Sequence, residues 1–430
     1  MTELPVGWRA MSLSEVAAGG FIRDGDWVES KDQDPAGDVR LTQLADVGVG
    51  VFRDRSNRWM RTDQVAAVRG TLLAFGDIMI ARMPDPIGRA CIYPDLPYDA
   101  VTAVDVTVLR IGRDEFDPQF VMWAINAPSF HGKVVEHQSG TTRKRIARKK
   151  LETLTVGIPP LKEQRRIVEL LDDHLFSLDA ASDGLELAAR RADRLWLSAV
   201  TRLLFSSTER CMAPLIDLLD LSVGGVWGSA PGEDECDVRV LRVTEMSRNG
   251  SLDPSTAVLR SISKRQLDRR ELRAGDLLLE KSGGGPNTPV GRVGLVGELD
   301  GSAICSNFMQ LMRPNVDRVL PEYLHVYLQS LHLRGGTQTM QTASTNIRNI
   351  KASEYVRLSV PIPSMDEQAR IVRELEELKA SRQRLSSGLL AATRRGVGLR
   401  RALLDAAFSG RLTGRSSDLN RAEELAEANA

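Results

Sequence analysis

One long stretch occurs twice in this chain, and that repetition limits the folds open to it more than any other feature. Ile158-Pro159-Pro160-Leu161 leads into Glu163-Gln164, and for most of the way to Phe205 no helix breaker follows. Prolines are tolerated just ahead of a helix but not within one. Apolar residues then step in alternating fours and threes: Ile167, Leu171, Leu178, Ala181, Leu185, Ala188, Ala192, Leu195 and Ala199, interrupted by His174 and Arg202. An apolar seam with a charged outer face predicts a coiled-coil helix that needs a partner.

The same chain supplies the partner. Ile362-Pro363-Ser364-Met365 with Glu367-Gln368 repeats the opening box. The displacement from Ile158 to Ile362 also carries Ile167 to Ile371, Leu171 to Leu375, Leu185 to Leu389 and Arg190-Arg191 to Arg394-Arg395. A shared register of this length without a gap indicates internal duplication. What precedes each helix is duplicated too. Gly275-Asp276-Leu277-Leu278-Leu279 answers Gly76-Asp77-Ile78-Met79-Ile80, and Val290-Gly291-Arg292-Val293-Gly294 answers Ile87-Gly88-Arg89-Ala90-Cys91. The segment after Ser139 has its counterpart after Thr342.

Strands are expected at Val39–Leu44, Thr71–Phe75, Asp77–Ala81, Arg89–Tyr93 and Ala103–Arg110, with short helices at Leu13–Ala18 and Phe116–Ile125. Met212–Leu219 and Leu320–Leu331 should be the second-half counterparts of those helices. The organisation expected is an α/β domain at 1–150, a helix at 151–210, a second α/β domain at 211–354, a second helix at 355–412 and a disordered tail at 413–430. Two antiparallel helices, each about 66 Å long at about 1.5 Å per residue, would make a pseudo-twofold rod with a domain at each end.

Composition narrows the function. The 57 basic residues balance the 57 acidic ones, so nucleic-acid contact would have to come from local patches. Cys91, Cys211, Cys236 and Cys305 are widely spaced, without metal-ligand spacing, as in proteins of a reducing compartment. No signal peptide or long uncharged apolar run is visible, so a soluble cytoplasmic protein is expected, with no membrane contact. His131, His137, His174, His325 and His332 suggest no metal site. Lys281-Ser282-Gly283-Gly284-Gly285-Pro286 lacks the spacing of a phosphate-binding loop, and Met83-Pro84-Asp85-Pro86-Ile87 lacks the aromatic residue of an amino-methyltransferase loop. No catalytic residue, metal or cofactor is assigned.

The boxes Ile158–Ile167 and Ile362–Ile371, with Leu4-Pro5-Val6-Gly7-Trp8 at the start and Phe408-Ser409-Gly410-Arg411-Leu412 at the end of the second helix, resemble the specificity subunits of type I restriction-modification enzymes. The resemblance implies an α+β protein: two α/β target-recognition domains separated by two long antiparallel coiled-coil helices, with a pseudo-twofold internal repeat. It also implies that each domain reads half of a split double-stranded DNA site. The helices would set the distance between the halves and dock two methyltransferase subunits, which carry the catalysis; whether nuclease-translocase subunits join as well is left open.

Candidate DNA contacts are Arg82, Arg89, Arg143, Lys144, Arg145 and Arg148 in the first half, and Lys281, Asn287, Arg292, Asn346, Arg348 and Lys351 in the second. These residue types anchor phosphates or make bidentate contacts to base edges; a solvated charged face would account for them equally well. Glu163, Gln164, Glu367 and Gln368 fall in the first turn of each helix. There they could cap free amides and favour the helix dipole, or offer a docking surface for partner subunits. The competing function is a coiled-coil scaffold whose α/β domains bind proteins.

Overall fold

The computed structural model describes residues 4–68, 70–141, 143–205, 211–284, 288–344 and 347–413. The 413–430 tail expected to be disordered lies, beyond Thr413, outside the described residues. The chain forms two compact units, residues 1–186 with 389–430, and residues 187–388. The units therefore divide within the long helices, each taking part of both, whereas the sequence pattern alone sets the helices apart from the domains.

In the first unit, strand Arg9–Ser12 runs antiparallel to Thr155–Ile158, the segment that leads into the first long helix. Ser12 then caps the short helix Leu13–Val16, its hydroxyl accepting from the Glu15 amide while the Glu15 carboxylate accepts from the Ser12 amide. A four-stranded antiparallel sheet follows, in the order Phe21–Asp24, Val106–Arg110, Ile78–Ala81, Ala90–Ile92. A smaller sheet orders Trp59–Met60, Val39–Thr42 and Asp99–Thr102, the last two parallel. Helices Pro118–Asn126 and Pro128–Glu136 each start on a proline, where the missing N–H costs nothing. Thr71–Phe75 is not a strand: the Leu73 amide donates to Ala100, and Ala74–Asp77 closes a turn.

The second unit repeats this plan. Cys211–Pro214 pairs with Ser359–Ile362, the larger sheet orders Leu219–Gly224, Met309–Pro314, Leu277–Glu280 and Val293–Leu295, and helix Pro321–Leu333 takes the place of Pro118–Asn126. The short helix expected at Met212–Leu219 is instead that first strand followed by a 3-10 turn, Leu215–Leu218. The three-stranded sheet orders Val258–Ile262, Cys236–Leu241 and Ala303–Cys305.

Both long helices form, Leu161–Leu204 and Met365–Phe408, 44 residues each. In the first unit Ile167, Leu171 and Leu175 share a core with Leu403, Leu404 and Ala407, and Arg400 pairs with Asp179. In the second unit Val200 and Leu204 share a core with Ile371 and Leu375, and Arg382 pairs with Asp193 at 2.7 Å. Both sets of contacts are antiparallel. The seam departs from expectation in the middle of the first helix, where Ala181, Ala188 and Leu195 are exposed. Alanine knobs bury too little apolar surface to hold two helices closed by themselves.

The two cores also differ in a titratable group. His325, on helix Pro321–Leu333, sits with Nε2 3.1 Å from the Val293 carbonyl. Burial pushes its pKa down from 6.5 to about 4, against the pull of that hydrogen bond. The unfolded chain thus takes up a proton between pH 6.5 and 4 that the folded chain refuses. Stability of the second unit is expected to fall across that window by at most about 1.4 kcal/mol per pH unit and to level off below it. Urea unfolding of the full chain at pH 7, 6 and 5 measures this. His325→Gln, which retains a donor for Val293, should flatten the slope; an equal slope in the variant refutes the assignment.

Candidate nucleic-acid interface

In each half one piece of backbone is fixed in the same way. Gly76 and Gly275 both have φ of +89°, which glycine adopts without a Cβ penalty, and each leads through the next residue into an interior strand of the four-stranded sheet. The Asp77 carboxylate accepts the Ala74 amide at 2.8 Å and pairs bidentately with Arg110 at 2.7 and 2.6 Å. Asp276 accepts the Arg273 amide at 2.7 Å and pairs with Arg313 at 2.7 and 2.8 Å. These hydrogen bonds raise the pKa of both arginines. The Gly-Asp pairs are visible in the sequence, but their arginine partners escape it; an arginine at the end of the matching strand of each half is the signal available.

The strand that follows carries a hairpin beside it. In the first unit Ser139 and Arg145 exchange backbone hydrogen bonds of 2.8 and 2.9 Å. Gly140 turns the chain with φ of +98°, and a Cβ there would stand 2.5 Å from the Arg143 carbonyl. Next to it, Ile146 is fully buried and its amide donates to Arg82 O at 3.2 Å. In the second unit Gln341–Ser344 pairs with Ile347–Ile350, which also pairs with Ser282–Gly283, and the Ile350 amide donates to Lys281 O at 2.7 Å. Each unit thus holds a hairpin against the strand after its Gly-Asp turn.

The candidate cations separate into two groups. Arg143, Lys144 and Arg145 are all exposed on the first hairpin, with no side-chain partner among the described residues. Lys281 is half-buried beside the second, with no ion pair among the described residues, and Arg348 is half-buried on the hairpin, opposite Ala343 and Gly283. Asn287 and Asn346 lie outside the described residues.

Four others are engaged by partners within the fold, three of them largely inside it and Arg148 at its part-exposed surface, which weighs against their expected role as DNA contacts. Arg82 is buried, donating to Val104 O at 2.6 Å and pairing with Asp24 at 3.2 Å. Arg89 donates to the carbonyls of Val47, Pro84 and Leu44 at 2.8, 2.7 and 2.9 Å, and burial lowers its pKa. Arg148 pairs with Asp24 and Glu152. Arg292 grips the buried Glu280 with two 2.8 Å bonds and donates to Met246 O at 2.6 Å. Lys351 is exposed and pairs with Glu354 at 2.9 Å.

The Glu-Gln pairs divide as well. Gln164 and Gln368 are buried, at 1% and 0% exposure, so they are not docking side chains. Gln164 accepts the Asp117 amide at 2.8 Å and donates to Pro159 O at 2.8 Å; Gln368 accepts the Leu320 amide at 2.8 Å and donates to Pro363 O at 3.0 Å. Each amide latches the start of a long helix to the loop before the domain helix. Glu163 accepts from the Thr413 hydroxyl at 2.9 Å, and Glu367 pairs with Arg370 at 2.6 Å. Among the described residues no group of three or more His, Cys, Asp or Glu could hold a metal ion, and no helix is long and apolar enough to cross a membrane.

Comparison with known proteins agrees with this construction. Residues 5–180 match the family described as the type I restriction modification DNA specificity domain. The Type I restriction enzyme EcoBI specificity subunit of Escherichia coli is 25% identical over 72% of this chain and 68% of its own. The EcoKI specificity subunit of E. coli strain K12 is 24% identical over 76% of this chain and 72% of its own. Two solved structures share the fold. A chain from work on complex assembly and conformational transition of the type I R-M system has a TM-score of 0.72 at 17% identity, covering 95% of this chain and 99% of that one. The HsdS subunit from Thermoanaerobacter tengcongensis has a TM-score of 0.54 at 17% identity, covering 95% and 98%. In its first domain, its duplicated helices and these relatives, the chain is similar to type I restriction-modification DNA specificity subunits.

Proposed function

We propose that this chain is a specificity subunit that reads a bipartite, asymmetric DNA site, one half with each α/β domain. The long helices would set the spacing and dock two methyltransferase subunits, in which the chemistry resides. One observation carries the reading: both units hold the same hairpin against the strand after the Gly-Asp turn, yet the hairpins present different side chains. Arg143-Lys144-Arg145 stands in one and Ile347-Arg348-Asn349 in the other. One scaffold with two unlike surfaces suits two unlike half-sites. Major-groove half-sites on one face of a duplex repeat about every 34–36 Å.

Methylome sequencing of the host with and without this gene tests the reading, because loss of one split motif names both half-sites. A protein scaffold would leave the methylome unchanged and show no salt-sensitive sequence preference in gel shifts. If the helices act as a ruler, adding one helical turn (about 5.4 Å) to the first long helix should widen the spacer by roughly one to two base pairs. An unchanged spacer rejects that role.

A further inference from the structure

The second α/β domain contains a cavity of about 460 Å³, lined by Trp227, Val243, Ser282, Ser306 and Phe308 among others. Trp227, Val243 and Phe308 give it apolar walls, and Arg242, Thr244 and Asn307 line it as well. Within this lining Ser306 is 1% exposed, and its Oγ has no hydrogen-bond partner among the described residues. An unpartnered buried hydroxyl costs stability and calls for an explanation. Phe308 is 45% exposed, and Arg260 stacks on the Trp227 ring at 4.5 Å, holding the indole in position. The Ser282–Gly283 strand that borders the cavity pairs with the hairpin strand Ile347–Ile350.

The first domain shows what the cavity is not. Gly25 and Gly225 are equivalent: the amides of Gly25 and Asp26 donate to Val106 and Thr102, and those of Gly225 and Val226 donate to Met309 and Cys305. Trp27 therefore matches Trp227, while Ala103 and Asp105 stand where the second domain has Ser306 and Phe308. Trp27 is 72% exposed. Scaffold needs common to both halves do not account for the hydroxyl or the second aromatic ring, because the first domain folds without either.

We infer that this cavity is a specificity pocket of the second domain that takes a single unstacked nucleobase, its faces against the aromatic wall and one edge atom hydrogen-bonded to Ser306 Oγ. The chemistry fits: pockets for extruded bases combine apolar or aromatic faces with hydrogen bonds to the base edge, and a serine hydroxyl both donates and accepts. The inference rests on the proposed reading of DNA by the second domain.

The test uses the full chain with its methyltransferase partners and duplexes permuted one base pair at a time through the second half-site. Ser306→Ala should lower discrimination at one base pair by about 5- to 150-fold, the range a good base contact supplies, with the other positions within about twofold. The thermal stability of Ser306→Ala should be unchanged or raised, since the hydroxyl removed has no partner in the free chain. Trp227→Leu should relax the same base pair, and Trp227→Phe should retain the preference. Making that one position abasic should weaken wild type more than Ser306→Ala, because the variant loses only the stacking on the aromatic wall. Uniform weakening, no change, or an abasic penalty equal in wild type and variant overturns the pocket while sequence-specific binding by wild type stands. If wild type discriminates none of the permuted duplexes, the reading of DNA by this domain fails, and the pocket with it.

Discussion

Replacing Arg313 by methionine is expected to destabilise the second unit by about 3–5 kcal/mol, the usual cost of stranding one partner of a buried pair. Asp276 is 2% exposed at its side chain and Arg313 20%, so water reaches the carboxylate poorly once the guanidinium is gone. The same arginine also donates to Glu271 O at 2.9 Å, which fixes the strand end against the turn before Asp276. Replacing both residues, Asp276→Leu with Arg313→Met, should recover part of the loss, because a buried ion pair and an apolar pair of similar volume are often nearly equal. Recovery should fall short by about 1–3 kcal/mol, since Asp276 also accepts the Arg273 amide and leucine leaves that donor unpaired. Arg110→Met should cost the first unit less, as Arg110 is 35% exposed. Urea unfolding of the full chain measures all three variants. A double variant as unstable as Arg313→Met alone would show that the stranded charge is not the cause.

These pairs lie at the limit of what the sequence discloses. The long helices are legible because an apolar period near 3.5 persists through 44 residues, long enough to outweigh Gly184 or Gly396. The four-residue strands Arg9–Ser12 and Phe21–Asp24 are not. They are too short to show alternation, and their partners lie far along the chain, at Thr155–Ile158 and Val106–Arg110. The candidate site divides for a similar reason. A sequence shows that Arg89 is a cation but not that the Val47, Pro84 and Leu44 carbonyls surround it. It shows that Gln164 opens a helix but not that the Asp117 amide awaits it. Exposure is legible only where charges crowd a turn, and the Arg143-Lys144-Arg145 hairpin is such a place.

That hairpin gives the largest expected effect on DNA binding. Neutralising Arg143, Lys144 and Arg145 together should make the slope of log affinity against log salt less negative by about 2.7, at about 0.9 for each phosphate that is no longer neutralised. At about 0.15 M salt the same change corresponds to roughly 100-fold weaker binding. Phosphate contacts position the protein without reading sequence, so cognate and non-cognate duplexes should weaken alike and their ratio should hold. A falling ratio would assign these side chains to base edges instead, and an unchanged slope would remove the hairpin from the interface. Arg89→Ala provides the contrast within the same unit. Its guanidinium satisfies carbonyls inside the fold, so the variant should lose thermal stability while its salt slope stays that of wild type. Neutralising one group of cations should therefore change the salt slope and neutralising the other the melting temperature, which separates a cation that meets phosphate from one that holds the domain together.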